Sequence, residues 1–166
     1  MSVALPLDHA VCLAPSFDRG LGPEAKRLVH WFVQPTQRNS PSIAFAEHRR
    51  GAIEALMGAI EEAGEVGWDG YAAKPANPDS VGAAVRFLGH LPVDTPLPDV
   101  SVDVDGDIAL DWDRGPSQVF SVRASRDGTL FYSGLVGSST FHGSEPLRES
   151  IPGAVARGID RALTGH

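Results

Sequence analysis

Residues 100–113 read VSVDVDGDIALDWD, and the phase of their alternation decides the fold. Val100, Val102 and Val104 alternate with Ser101, Asp103 and Asp105, and on the return Ile108, Leu110 and Trp112 alternate with Ala109, Asp111 and Asp113. A period of two is that of strands buried on one face only. A two-residue Asp105-Gly106 turn would set Val104 opposite Asp107, apolar against polar. A three-residue loop, Asp105-Gly106-Asp107, pairs Val104 with Ile108, Val102 with Leu110 and Val100 with Trp112. A slip of one residue sends every side chain to the wrong face, so the three-residue register is expected.

Downstream, QVFSVRAS and TLFYSGLV flank Arg126-Asp127-Gly128, with glycine at the third loop position, where a bulged hairpin needs a left-handed residue. That register sets Phe120, Val122 and Ala124 against Gly134, Tyr132 and Leu130, and turns Arg123 and Phe131 to the other face. GLVGSSTFHGSEP, residues 134–146, reads as the connection to a last amphipathic helix, SIPGAVARGIDRAL, with Ile151, Val155, Ile159 and Leu163 on one side.

Upstream the period changes to that of helices. In SIAFAEHRRGAIEALMGAIEEAG, Ile53, Leu56, Met57 and Ile60 form one apolar face, with Gly64 expected as a left-handed cap. In NPDSVGAAVRFLGHLP, Asn77 is an N-cap, Pro78 suits the first helical position and Asp79 the positive end of the dipole. Val81, Ala84, Val85, Leu88 and Leu91 line its buried face. Pro6, Pro15, Pro23, Pro35 and Pro41 forbid a long helix before this point, and GPEAKRLVHWFV offers one short helix. The expected architecture is a two-layer α+β domain over residues 42–166, preceded by an irregular arm over 1–41. It has a four-stranded antiparallel meander with helices on one face, in the order α-α-β-β-β-β-α.

Composition bounds the function. The formal charge of −7 and dispersed arginines exclude the clustered cations that phosphate neutralisation needs, so no nucleic acid is expected. An acidic surface steers basic partners. A single cysteine, Cys12, forms no internal disulfide, which fits a reducing, cytoplasmic compartment. No run reaches the roughly 20 apolar residues of a membrane span.

Three stretches carry candidate site residues. In GWDGYAAKP, residues 67–75, Asp69, Tyr71 and Lys74 can form a polar cluster beside Trp68. The competing reading makes Gly67 and Gly70 turn residues, Trp68 and Tyr71 plugs between two helices, and Asp69 a local acceptor. In DVDGDIALDWD the carboxylates of Asp103, Asp111 and Asp113 are candidate ligands for calcium or magnesium. From Asp103, however, glycine falls fourth and Arg114 twelfth, which breaks the EF-hand pattern, and a solvated strand face competes. In residues 134–146, Phe141 and His142 beside outward-facing Phe131 make a candidate partner-binding patch. The six histidines lack metal-ligand spacing, and no GxSxG elbow or phosphate loop is present, so no cofactor is expected.

The set WDGYAAKP, IALDW and FYSGLVG…FHGSEP resembles a widespread group of small bacterial proteins that carry a WDGYxAxP-like stretch before a helix and a GxIxL(D/E)W-like strand after it. The resemblance spans roughly residues 50–163 and implies the order of elements, with no activity and no catalytic residues. The expected function is a non-enzymatic protein-interaction module, an inhibitor or neutralising partner of another bacterial protein. The alternative is a metal-assisted hydrolase built on the Asp103–Asp113 carboxylates.

Overall fold

The computed structural model describes residues 43–165 of the chain. The arm expected over 1–41, its short helix and Cys12 lie outside the described residues. Helix α1 (Ile43–Glu62) and helix α2 (Pro78–His90) precede five strands, and helix α3 (Gly153–Thr164) closes the chain. The strands β1 (Asp99–Val102), β2 (Ile108–Asp113), β3 (Gln118–Ala124), β4 (Thr129–Val136) and β5 (Ser139–Pro146) form one antiparallel sheet in sequential order. The domain is α+β, with five strands rather than the expected four.

The fifth strand occupies the stretch expected as a loop. Val136 pairs with Ser139 across a two-residue Gly137-Ser138 turn, and Gly137 has φ 61°, which a hairpin turn of the primed kind requires at its first position. Ser, Gly, His and Pro are weak strand formers, so composition hides the strand. Pairing supplies what composition lacks. Phe141 lies over Gly134, Tyr132 lies over Gly143, and a Cβ on either glycine would collide with the ring. Each aromatic ring thus covers the bare backbone of the neighbouring strand.

The second hairpin keeps the expected register, with Phe120 opposite Gly134, Val122 opposite Tyr132 and Ala124 opposite Leu130. The first hairpin shifts by two residues: Val102 faces Ile108 and Val100 faces Leu110. An even shift preserves the faces, so Val102, Ile108, Leu110 and Trp112 remain buried. Val104 is the residue that changes, leaving the ladder to become 61% exposed. The cause is Asp103, whose Oδ1 accepts from the amides of Asp105 at 2.8 Å and Asp107 at 3.0 Å. This widens the connection to residues 103–107.

The core is a single cluster joining the inward residues of the sheet to the apolar faces of the helices. Ile53, Leu56 and Ile60 of α1, Val81, Ala84, Val85 and Leu88 of α2, and Val155 and Ile159 of α3 are all buried in it. Trp112 meets Phe87 edge-on at 6.3 Å and donates its indole N–H to the Pro96 carbonyl at 2.8 Å. Asn77 caps α2 as expected, its Oδ1 accepting from Asp79 and Ser80. Gly64 does not take the expected left-handed conformation; Gly67 and Gly70 do, at φ 78° and 83°. Fully buried Ser80 ties α2 to the sheet, its hydroxyl accepting from the Ile108 amide at 2.7 Å and donating to the Ala124 carbonyl at 2.5 Å.

Candidate protein-docking surface

Two segments that look separate in sequence form one surface. In the α1–α2 connection, Asp69 Oδ1 accepts from the amides of Tyr71 at 2.8 Å and Ala73 at 3.2 Å. In the β1–β2 connection, Asp103 Oδ1 accepts from residues two and four positions on in the same way. Each aspartate closes its loop through local backbone bonds. Gly67 donates to the Ala73 carbonyl at 2.8 Å, and Asp103 to the Asp107 carbonyl at 2.8 Å.

The two loops are then stitched together. The Lys74 amide donates to the Val104 carbonyl at 2.9 Å, and the Asn77 amide to the Gly106 carbonyl at 2.8 Å. The Lys74 ammonium reaches Asp105 Oδ1 at 3.0 Å, and the Trp68 indole donates to the Lys74 carbonyl at 3.0 Å. Gly106 sits at φ 87° against the Pro75 carbonyl, with no room for a Cβ. That close approach allows the stitching bonds to form.

The apolar side chains here point outward. Tyr71 is 90% exposed, Val66 78%, Val104 61% and Trp68 37%. Tyr71 therefore does not plug the gap between helices. A tyrosine and two valines thus stand in water on loops whose backbone is held by local bonds. Charge frames this surface. The ammonium of Lys74 holds the Asp105 carboxyl below the usual carboxylate range, first by its hydrogen bond and then by its charge. Burial pushes the neighbouring Asp107 carboxyl up, and the charge of Asp103 adds to that rise. The Lys74–Asp105 pair is open to solvent, so screening makes it an orienting contact rather than a source of stability.

Asp103 also links the loops to the outer face of the sheet. Its Oδ2 lies 3.4 Å from Arg123 Nη1, and the Arg123 guanidinium sits 5.0 Å from the centre of the Phe131 ring. Phe131 is 40% exposed on that face, and exposed His142 lies on the same face opposite Ser133. Phe141 is not with them. It points to the inner face, stacks on Phe120 at 5.8 Å and carries the Arg161 guanidinium 4.6 Å above its ring. The structure thus groups Trp68, Asp69, Tyr71 and Lys74 with Asp103 and Asp105, and places Phe131 and His142 further along.

Asp111 and Asp113 stand apart from Asp103 on β2. Asp111 faces Asp99 across the strand pair, and Asp113 Oδ1 accepts from the Gly115 amide at 2.7 Å. Asp103 was expected opposite Ala109; Ser101 occupies that place, and both Asp103 oxygens already have partners within the protein. Among the described residues no group of three His, Cys, Asp or Glu is placed to hold a metal ion. No described helix is long and apolar enough to cross a membrane.

Sequence reasoning missed Val66, Val104 and Asp105 as members of the surface. Val104 was hidden because its alternation continues that of a buried strand. The repeated D-x-x-x-D/A spacing at Asp69 and Asp103 was the available signal. No protein-family model, curated protein or solved structure matches the chain.

Proposed function

We propose that the chain is a non-enzymatic protein-interaction module that docks another protein through the paired loops at 66–74 and 103–107, inhibiting or neutralising that partner by occupying it. The observation that carries this reading is Tyr71, 90% exposed on a loop whose backbone is bonded at residues 67, 70, 71, 73 and 74. A large aromatic side chain on a fixed backbone loses little conformational freedom on contact, which is why such residues dominate binding energy at interfaces. Trp68 and Val104 extend the apolar area, and Lys74 and Asp105 supply a polar rim. The net charge of −7 favours a basic partner through steering.

The test is affinity capture from the source organism with the full chain, with Tyr71→Ala, and with a chain beginning at Ser42. The expected result is one stoichiometric partner, retained by the shortened chain and lost with Tyr71→Ala while the circular dichroism spectrum is unchanged. A partner held equally by Tyr71→Ala and by a Trp68→Ala, Val104→Ser double variant would remove the paired loops from the interface.

A further inference from the structure

The two edges of the sheet are unlike. At one edge α1 packs against β1, whereas at the other, among the described residues, no helix packs comparably along β5, which α3 meets through Arg161 over the Phe141 ring. Val136 and Ser139 flank a two-residue turn and therefore form a hydrogen-bonded pair, and bonding alternates from there. At the far end, the Leu147 amide donates to the Gly128 carbonyl at 2.9 Å, in the same phase. Residues 139, 141, 143 and 145 thus bond to β4. Thr140, His142 and Ser144 turn their N–H and C=O groups away from it, and among the described residues these amides have no partner.

An edge strand of this kind is usually blunted by a bulge, a lysine or a central proline. β5 pairs with β4 over eight residues without a bulge, has no residue at positive φ and carries no lysine. Its only charged side chain is Glu145, and Pro146 ends the run of donors. The free segment is also complementary to itself. An antiparallel copy related by a two-fold axis through His142 brings Thr140 opposite Ser144 of the second copy, and Ser144 opposite its Thr140. The pairs 140/144, 142/142 and 144/140 would each exchange two backbone bonds. On the inner face, Phe141 falls opposite Gly143 of the second copy; its own ring stays over Gly134 of β4, so no bulky side chain opposes it across the contact. Glu145 falls opposite Ser139, so no like charges meet.

We propose that β5 pairs with β5 of a second copy of this chain about His142, joining two five-stranded sheets into one continuous sheet. The paired loops lie outside this contact and remain available in the dimer, so the pairing stands independently of the docking function.

The full chain is tested by sedimentation equilibrium over a range of concentrations, together with amide hydrogen exchange. The expected result is a mass that doubles with concentration, with slowed exchange at Thr140, His142 and Ser144 only where the dimer is populated. His142→Pro removes a central outward donor without touching the β4–β5 bonds, and proline is tolerated at such edge positions. His142→Lys sets two ammonium groups face to face and guards against a proline variant that fails to fold. Both are expected to sediment as a single chain. A chain that stays monomeric throughout overturns the proposal. So does a dimer indifferent to both substitutions, or protection of the three amides in the monomer, which would mean that another part of the same chain covers the edge.

Discussion

The Lys74 amide donates to the Val104 carbonyl at 2.9 Å, so the residue that the Asp103 turn releases from the first hairpin is held by the α1–α2 connection. With the Asn77–Gly106 bond beside it, the α1–α2 connection and the β1–β2 connection behave as one body.

Gly106 permits that union, so Gly106→Ala should break it. The left-handed backbone alone costs an alanine roughly 1–2 kcal/mol, and the added methyl would meet the Pro75 carbonyl. Urea denaturation should show a loss of at least that size, with faster amide exchange at Lys74 and Asn77. Unchanged exchange at those two amides would show that the loops hold together without this contact.

Asp103 accepts two backbone amides and pairs with Arg123. Asp103→Ala leaves those donors without their partner and should destabilise the protein by about 1–3 kcal/mol. Asp103→Asn keeps an acceptor oxygen and should recover most of that loss in the same denaturation series. Equal losses in the two variants would place the stabilisation in the charge rather than in the turn.

Gly158 of α3 lies directly over the Phe120 ring, where a Cβ has no room. On helix propensity alone, Gly158→Ala should stabilise by up to about 1 kcal/mol. Overpacking costs typically about 1–3 kcal/mol, so the expected net outcome is a lower Tm. A raised Tm would mean that α3 can slide on the sheet at little cost.

The two loop carboxylates should respond oppositely to acid. The Asp107 carboxyl is raised by burial and by Asp103, so its ionisation above that raised pKa weakens the fold. Asp107→Asn is expected to gain stability at pH 7, and the gain should fade as pH falls through the raised value. The Asp105 carboxyl is lowered by Lys74, so its contribution is complete above the unfolded value of about 3.9 and lost as pH falls through the lowered one. Asp105→Asn should therefore lose a little stability at pH 7 and nothing at the acid end. Thermal melts of both variants between pH 3 and pH 7 check the signs.

Much of this architecture is legible in residue order. Asn77-Pro78-Asp79 marks a helix start through purely local bonds, and Arg126-Asp127-Gly128 fixes a register through glycine's freedom at φ 79°. What escapes is decided across space. β5 is a strand because Tyr132 and Phe141 of neighbouring strands cover each other's glycines, and no window of one strand contains that fact. Val104 is exposed because the Asp103 turn takes it out of the ladder and the amides of Lys74 and Asn77, on another connection, take up the carbonyls of Val104 and Gly106. The same holds for the site: Trp68, Tyr71 and Lys74 are visible in sequence, but their union with Asp103 and Asp105 is a tertiary event.

The Asp69 and Asp103 loops keep their shape through carboxylate-to-backbone bonds, in which the side chains of Val66, Tyr71, Ala72 and Val104 take no part. Those four positions can therefore be exchanged without rebuilding the frame that carries them. Under the proposed docking function, a lineage or an engineer could re-address this surface to a new target by changing the tips alone, much as a key is recut while its bow is left untouched.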